Sequence, residues 1–381
     1  MLIDKCVLSY YVSVNHTHMR LYLLLLLAGM LSVVKAQEVP MFVGTYTHTG
    51  SQGVYLYMFD ESTADATMYS VTSSSNPSFL ARSSDGKMLY AVNQNRDSSA
   101  TLSSFSFDGD ALSFIDAIPT GGTSPCHVAV STRYPLAVTA DYDQGTLSVY
   151  RLGADGMLLE RVQTLTEEGR GPDSTRQEHS HVHSAFFSPD EQQVFVQNLG
   201  TDKVTIYNVY EWNGHYRLIK DREIATPAGG GPRHLVFDEA GQNFYLLLEM
   251  AGQIAHYQLH GEDWQLLDTV SINADDFIGE NRAAEIKRSA DGKFIYASNR
   301  GDANSIALFS VGQQGRLTRK AVYPTGGEGP RNFNLSPDGK FVLVAHEESN
   351  NITIFHRDEE SGELSLTDKQ IDVASPVCIL F

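Results

Sequence analysis

Cysteine is scarce in this chain: only Cys6, Cys126 and Cys378 occur among 381 residues. With Cys6 in the leader segment, the two that remain cannot make a disulfide framework, and with no Cys-x-x-Cys pair a thiolate zinc cluster is excluded; Cys126 and Cys378 read as small buried thiols, with a single bridge between them as the alternative. Positive charge is in deficit as well, with 28 Lys and Arg against 46 Asp and Glu and a formal net charge of −18. That sign speaks against a nucleic-acid partner, since no phosphate backbone is neutralised by it. The acidic residues are dispersed rather than gathered in a tail, as on a solvated surface. Tryptophan occurs only as Trp212 and Trp264, so the Gly-His and Trp-Asp signature of WD40 repeats is missing. There is no Gly-x-Ser-x-Gly elbow. Gly229-Gly230-Gly231 precedes a strand-like segment rather than a helix, unlike a phosphate-cradling loop.

Long apolar runs are missing too, apart from one. Arg20 precedes the stretch Leu21 to Val34, followed by Lys35-Ala36-Gln37. The stretch is short for a membrane span, and Val34 and Ala36 suit cleavage before Gln37. Residues 1–36 therefore read as a signal peptide, with a membrane anchor as the alternative. The expected mature protein is secreted or periplasmic, with no stable membrane insertion after cleavage. The polar stretch Met1 to His18 points to a translation start at Met19.

What the chain has in abundance is repetition. Pro77-Ser78-Phe79-Leu80 runs into Ser84-Asp85-Gly86, Pro125-Cys126-His127-Val128 into Leu136-Ala137-Val138, and His183-Ser184-Ala185-Phe186 into Ser188-Pro189-Asp190. Pro232-Arg233-His234-Leu235, Ala284-Glu285-Ile286 and Pro330-Arg331-Asn332-Phe333 continue the series, and Pro376-Val377-Cys378-Ile379 ends it. Each unit alternates short β-branched and aromatic runs with Asp-Gly turns, where glycine supplies the positive φ a hairpin needs. Four strands per unit of roughly 46 to 58 residues, repeated seven times, specify an all-β, seven-bladed β-propeller spanning residues 37–381 as a single domain. The last unit consists of one strand, so the runs Met41 to Tyr46 and Gly53 to Phe59 must complete its blade. Pairing of the N- and C-terminal strands in one blade closes the ring and removes its open edges.

The first strand of each unit lines the channel, so equivalent positions form rings. The residue after the repeat's proline position, which is Val182 and Ala283 in two units, is Ser78, Cys126, His183, Arg233, Ala284, Arg331 or Val377; the next is Phe79, His127, Ser184, His234, Glu285, Asn332 or Cys378. Ionisable groups thus converge at one mouth, joined by Arg282 and by the strand ends Glu249, Arg300 and His346-Glu347-Glu348. Such a cluster is costly unless it pairs internally or binds something. A salt-bridge network that stiffens the ring is the structural alternative to a functional site. His179-Ser180-His181-Val182-His183 places three alternating histidines on one extended chain. No further ligand is set by spacing, so hydrogen bonding is expected there, with no metal and no cofactor.

The Gly231-Pro232-Arg233-His234 segment, His183-Ser184-Ala185, Glu249, Ser298-Asn299-Arg300 and Gly329-Pro330-Arg331-Asn332-Phe333 together resemble the lactonase family of seven-bladed propellers. That family includes propeller-type 6-phosphogluconolactonases and 3-carboxy-cis,cis-muconate lactonizing enzymes. The resemblance implies catalysis by His183, Arg233, Glu249 and Arg300. It places His234, Arg282, Glu285 and Arg331 as substrate-binding or supporting residues. It implies hydrolysis of a sugar lactone, with a small-molecule lactone or sugar acid as the partner. An exported protein would meet a non-phosphorylated lactone rather than a phosphorylated one. The alternatives are a muconate-type lactonizing cycloisomerase and a non-catalytic extracellular binding propeller.

Overall fold

The computed structural model describes residues 38–381. The expected signal peptide and the start at Met19 lie outside the described residues. Twenty-eight strands form seven four-stranded sheets, with two 3-10 turns and no α-helix among the described residues. Six sheets are consecutive meanders whose innermost strands are β4 (Pro77–Arg82), β8 (Pro125–Val130), β12 (Val182–Phe187), β16 (Pro232–Phe237), β20 (Ala283–Arg288) and β24 (Pro330–Leu335). The seventh has the order β28 (Pro376–Leu380), β1 (Glu38–Thr45), β2 (Gly53–Asp60), β3 (Ala66–Ser73). Phe42 pairs with Leu380 and Val43 with Ile379, so the two ends of the propeller share a blade.

Burial explains why these segments are strands. The second strand of a blade is covered on both faces by its neighbours, so Asn243–Leu248 and Phe341–His346 are buried at every residue. Outer strands such as Asp263–Ser271 face solvent along much of their length. The core is a series of apolar layers between blades, for example Met41, Val43 and Phe59 against Phe341, Leu343 and Ile354. Tyrosine hydroxyls pin blade to blade: Tyr245 Oη donates to the Gly315 carbonyl at 2.8 Å and Tyr296 Oη to that of Gly362 at 2.7 Å. Tyr90 makes the same bond to Gly156.

The turns repeat as well. Ser289 Oγ donates to Asp291 Oδ1 at 2.6 Å and accepts from the Phe294 N–H at 3.0 Å, with Gly292 at φ 72°. In the third repeat Glu191 occupies the glycine position at φ 56°. Its carboxylate accepts the backbone N–H groups of Thr132 and Arg133, both at 3.0 Å, on the adjacent blade. Those bonds offset the cost of a left-handed non-glycine residue.

One irregularity positions the site. Every innermost strand loses register with its neighbour at the same place, just after its first residue. The residues left without a ladder partner are Ser78, Cys126, His183, Arg233, Ala284, Arg331 and Val377, with Glu285 sharing the bulge in β20. A bulge re-aims its side chain and ends regular pairing. The first ring of the sequence repeat is therefore a ring of bulges at the channel mouth.

Candidate active site at the channel mouth

The mouth opens into a cavity of about 470 Å³ whose lining includes Arg96, Tyr142, Arg176, His183, Glu249, Arg282, Arg300 and Arg331. Larger grooves lie between blades, but none contains a comparable set of ionisable groups. Cys126 also lines the mouth; it and Cys378 are free, buried thiols.

Glu249 is the hub. It follows β17 (Asn243–Leu248), and its backbone N–H donates to the Gly231 carbonyl at 2.8 Å, which fixes the strand end. Its Oε1 accepts from Arg176 Nη2 at 2.6 Å. Its Oε2 accepts from Arg233 Nε at 2.9 Å and lies 3.2 Å from Arg300 Nη2. His183 Nε2 is 3.8 Å from the same oxygen. Arg233 Nη1 also donates to the Ala284 carbonyl, and Arg300 Nε to that of Arg282 at 3.0 Å. Both guanidiniums are thereby held in place from two sides.

The electrostatics follow from burial and charge count. Burial alone would raise the Glu249 carboxyl, but Arg300, Arg233 and Arg176 outweigh it and hold the group down to about 2. Burial pushes His183 well below the ordinary imidazole value, and Arg233, His234, Arg331 and Arg300 push it further. The His183 ring is thus neutral at pH 7, and its Nδ1 has no partner. Burial lowers Arg300 to about 9 against the attraction of Glu249, which leaves it cationic. Arg331 lies 3.4 Å from Glu347 and over the ring of Tyr46. Arg96 and Arg282 make no ion pair among the described residues. The lining carries Arg96, Arg176, Arg282, Arg300 and Arg331 against Asp143, Glu249 and Glu280, so cations exceed anions. Internal pairing is real, yet it leaves positive charge unmatched.

Of the residues expected from sequence, His183, Arg233, Glu249 and Arg300 meet directly. Arg282 and Arg331 line the same cavity. His234 and Glu285 are not among the residues that line that cavity. Theirs is the next ring down, where His234 Nδ1 lies 3.0 Å from Glu285 Oε1 and Asn332 Nδ2 donates to Glu285 Oε2 at 2.6 Å. The bulge separates the two levels, so a single step along the strand moves a side chain from the mouth into the channel. His234 also packs edge-on against His183, with ring centroids 5.5 Å apart.

Arg176 and Tyr142 are absent from the sequence reading. Arg176 comes from residues 167–181, the longest connection between blades among the described residues. That length was the available signal, since long loops on a rigid scaffold carry function. Asp173 Oδ1 accepts the N–H groups of Thr175 and Arg176 at 2.8 and 2.9 Å and curls the loop over the mouth.

The fold and the site together define a seven-bladed propeller with an arginine-rich pocket, sized for a small anionic or polar molecule, at one end of its channel. More narrowly, residues 40–381 match the family described as lactonase, 7-bladed beta-propeller, and the chain belongs to it. It is 31% identical to a 6-phosphogluconolactonase of Bacillus subtilis (strain 168) over 346 residues, covering 89% of this chain and 97% of that protein. It is 33% identical to a 6-phosphogluconolactonase of Formosa agariphila over 344 residues, covering 87% and 96%. The solved structure of a Pseudomonas aeruginosa periplasmic gluconolactonase superimposes with a TM-score of 0.86 at 32% identity, covering 90% of this chain and 99% of that one.

Proposed function

We propose that this protein is an exported hydrolase that opens a sugar lactone at the channel mouth. Membership of the lactonase family supports the reaction class. The observation that carries the site assignment is the neutral, unpartnered imidazole of His183 beside a carboxylate already saturated by three guanidiniums.

Both Glu249 oxygens are taken up by Arg176, Arg233 and Arg300, so water activation falls to His183, which lines the cavity, rather than Glu249. His183 takes a proton from water as the water oxygen bonds to the lactone carbonyl carbon. The carbonyl oxygen becomes an oxyanion that the cavity guanidiniums hold by charge-assisted hydrogen bonds. The ring C–O bond then breaks, and the leaving alkoxide receives the proton from the imidazolium. Glu249 keeps Arg176, Arg233 and Arg300 in position and stabilises the transient imidazolium. The product sugar acid is an anion, which matches the excess of cations in the lining.

Residues 1–36 form a cleaved signal peptide ahead of one functional domain, residues 37–381, and the mature protein works in the periplasm or outside the cell. N-terminal sequencing from the native host checks this, with a chain beginning near Gln37 as the expected result. No helix among the described residues is long and apolar enough to cross a membrane. In that compartment a non-phosphorylated aldonolactone is the expected substrate. Proton release from a panel of aldonolactones, with and without a 6-phosphate, tests both points in a pH-stat. Preferred turnover of non-phosphorylated rings supports the assignment, while no turnover of any aldonolactone overturns it.

A further inference from the structure

The alternating histidines do not act as one set. His183 stands at the bulge of β12 and faces Glu249, while the His179 and His181 rings lie against each other with centroids 4.1 Å apart. The segment that carries them is rigid. Ser180, between them, points the opposite way and accepts from Asn198 Nδ2 at 2.8 Å. The His181 N–H donates to Asn198 Oδ1 at 3.0 Å, and the Leu199 N–H donates to the His181 carbonyl at 2.8 Å. Gly200 backs this segment so closely that a Cβ there would lie 1.9 Å from the His179 carbonyl oxygen.

The chemistry of the pair is set by what His181 touches. Its Nδ1 lies 3.0 Å from the Tyr142 carbonyl oxygen, an atom that only accepts, so Nδ1 carries the proton and the Nε2 lone pair is free. Its ring stacks on Tyr142 at 4.3 Å with 20° between planes, which fixes where that lone pair points. Nε2 lies 3.4 Å from Glu178 Oε1, and His179 Nε2 lies 4.0 Å from the same oxygen. One ligand atom from each of the three residues falls within 4.8 Å of the others. With metal–ligand bonds of about 2.1 Å, tetrahedral zinc ligands sit about 3.4 Å apart, so small side-chain rotations complete the geometry. Glu178 and His179 are half exposed, which leaves the fourth vertex open to water.

We propose that Glu178, His179 and His181 form a binding site for one divalent transition-metal ion of the zinc class, outside the Glu249 cluster. Two imidazoles and a carboxylate are borderline donors suited to such an ion and not to calcium or magnesium, which take oxygen ligands. Spacing alone specified no ligand set; the curl of residues 167–181 brings Glu178 to the histidines. The site lies at the end of the same loop whose Arg176 holds Glu249.

The test uses the untagged full chain, stripped with a chelator and titrated calorimetrically with zinc, and in parallel with cobalt(II) followed by visible absorption. One equivalent per chain, with the intense visible bands of low-coordinate cobalt, is expected. His179→Ala and Glu178→Gln alter half-exposed side chains and leave the fold intact; each should weaken binding at least tenfold. His215→Ala, on an exposed outer strand, should not. Failure to bind stoichiometrically, or binding unchanged in both His179→Ala and Glu178→Gln, overturns the proposal. Neither result depends on which lactone is hydrolysed.

Discussion

At the scale of single residues, His183 and Glu249 are distinguishable because one is unpartnered and the other is saturated. His183→Asn removes the base but no ion pair, so turnover should fall about a hundredfold while the melting temperature barely moves. Glu249→Gln leaves Arg176, Arg233 and Arg300 without their anion. Breaking a buried ion pair costs about 3–5 kcal/mol, so both turnover and melting temperature should drop. Equal thermal losses in the two variants would refute the division of roles. A different residue offers a gain. His127 is buried with neither ring nitrogen bonded, packed between Phe79 at 4.4 Å and Phe186 at 4.7 Å. An unsatisfied buried polar group costs about 1–3 kcal/mol, so His127→Phe should raise the melting temperature. The gain should widen below pH 6.5, because burial holds His127 neutral while the unfolded chain's imidazole takes up a proton there. A scan at pH 8 and pH 5.5 checks both statements.

At the scale of elements, the repeat uses two devices for two purposes. The bulge after the first residue of each inner strand breaks the ladder where chemistry is needed. The tyrosine-to-glycine bonds join neighbouring blades where rigidity is needed. Tyr245→Phe deletes only a hydroxyl whose acceptor is the Gly315 carbonyl. About 1 kcal/mol of stability should be lost, read from denaturant midpoints, with turnover unchanged because the bond lies far from the mouth. The sequence repeat exposed both devices only in part. The ring of His183, Arg233 and Arg331 could be read from register, since equivalent positions in a closed ring face one axis. His234 and Glu285 stood in register too, but nothing in the spacing says that a bulge places them one level deeper. Arg176 lies in an irregular loop, where neither a period of two nor a repeat position constrains direction.

At the scale of the whole molecule, closure and charge decide stability. Deleting Pro376 to Phe381 removes β28 and uncovers the edge of β1, so insoluble protein or a large loss of thermal stability is expected. A truncated chain that melts like the parent would contradict closure by shared strands. Acid should act in two stages. His183, His127, His234 and His346 are held below 6.5 by burial, the last two at about 4. Between those values and 6.5 the unfolded chain binds more protons than the folded one, so stability falls as pH drops through that window. Glu249 and Glu285 are held below the ordinary value of 4.5 by neighbouring cations despite burial, so their contribution is present above 4.5 and lost as pH falls toward 2. Melting temperature should therefore be level near neutrality, decline below pH 6.5 and decline more steeply below 4.5. A melting temperature flat from pH 7 to 5 would refute the first stage.

The sequence by itself determined the all-β repeat, the seven blades, the shared blade at the termini and the residue types around the mouth. Those follow from hydrophobic alternation and turn chemistry, which are local and recur in every unit, so one unit corroborates the next. Only the tertiary structure decided which groups touch: that three arginines converge on Glu249, that His183 is left unpartnered, and that His179 and His181 turn to Glu178. Each of these depends on a bulge or on the path of one long loop, and the direction of a side chain there is set by contacts between blades rather than by any period along the chain.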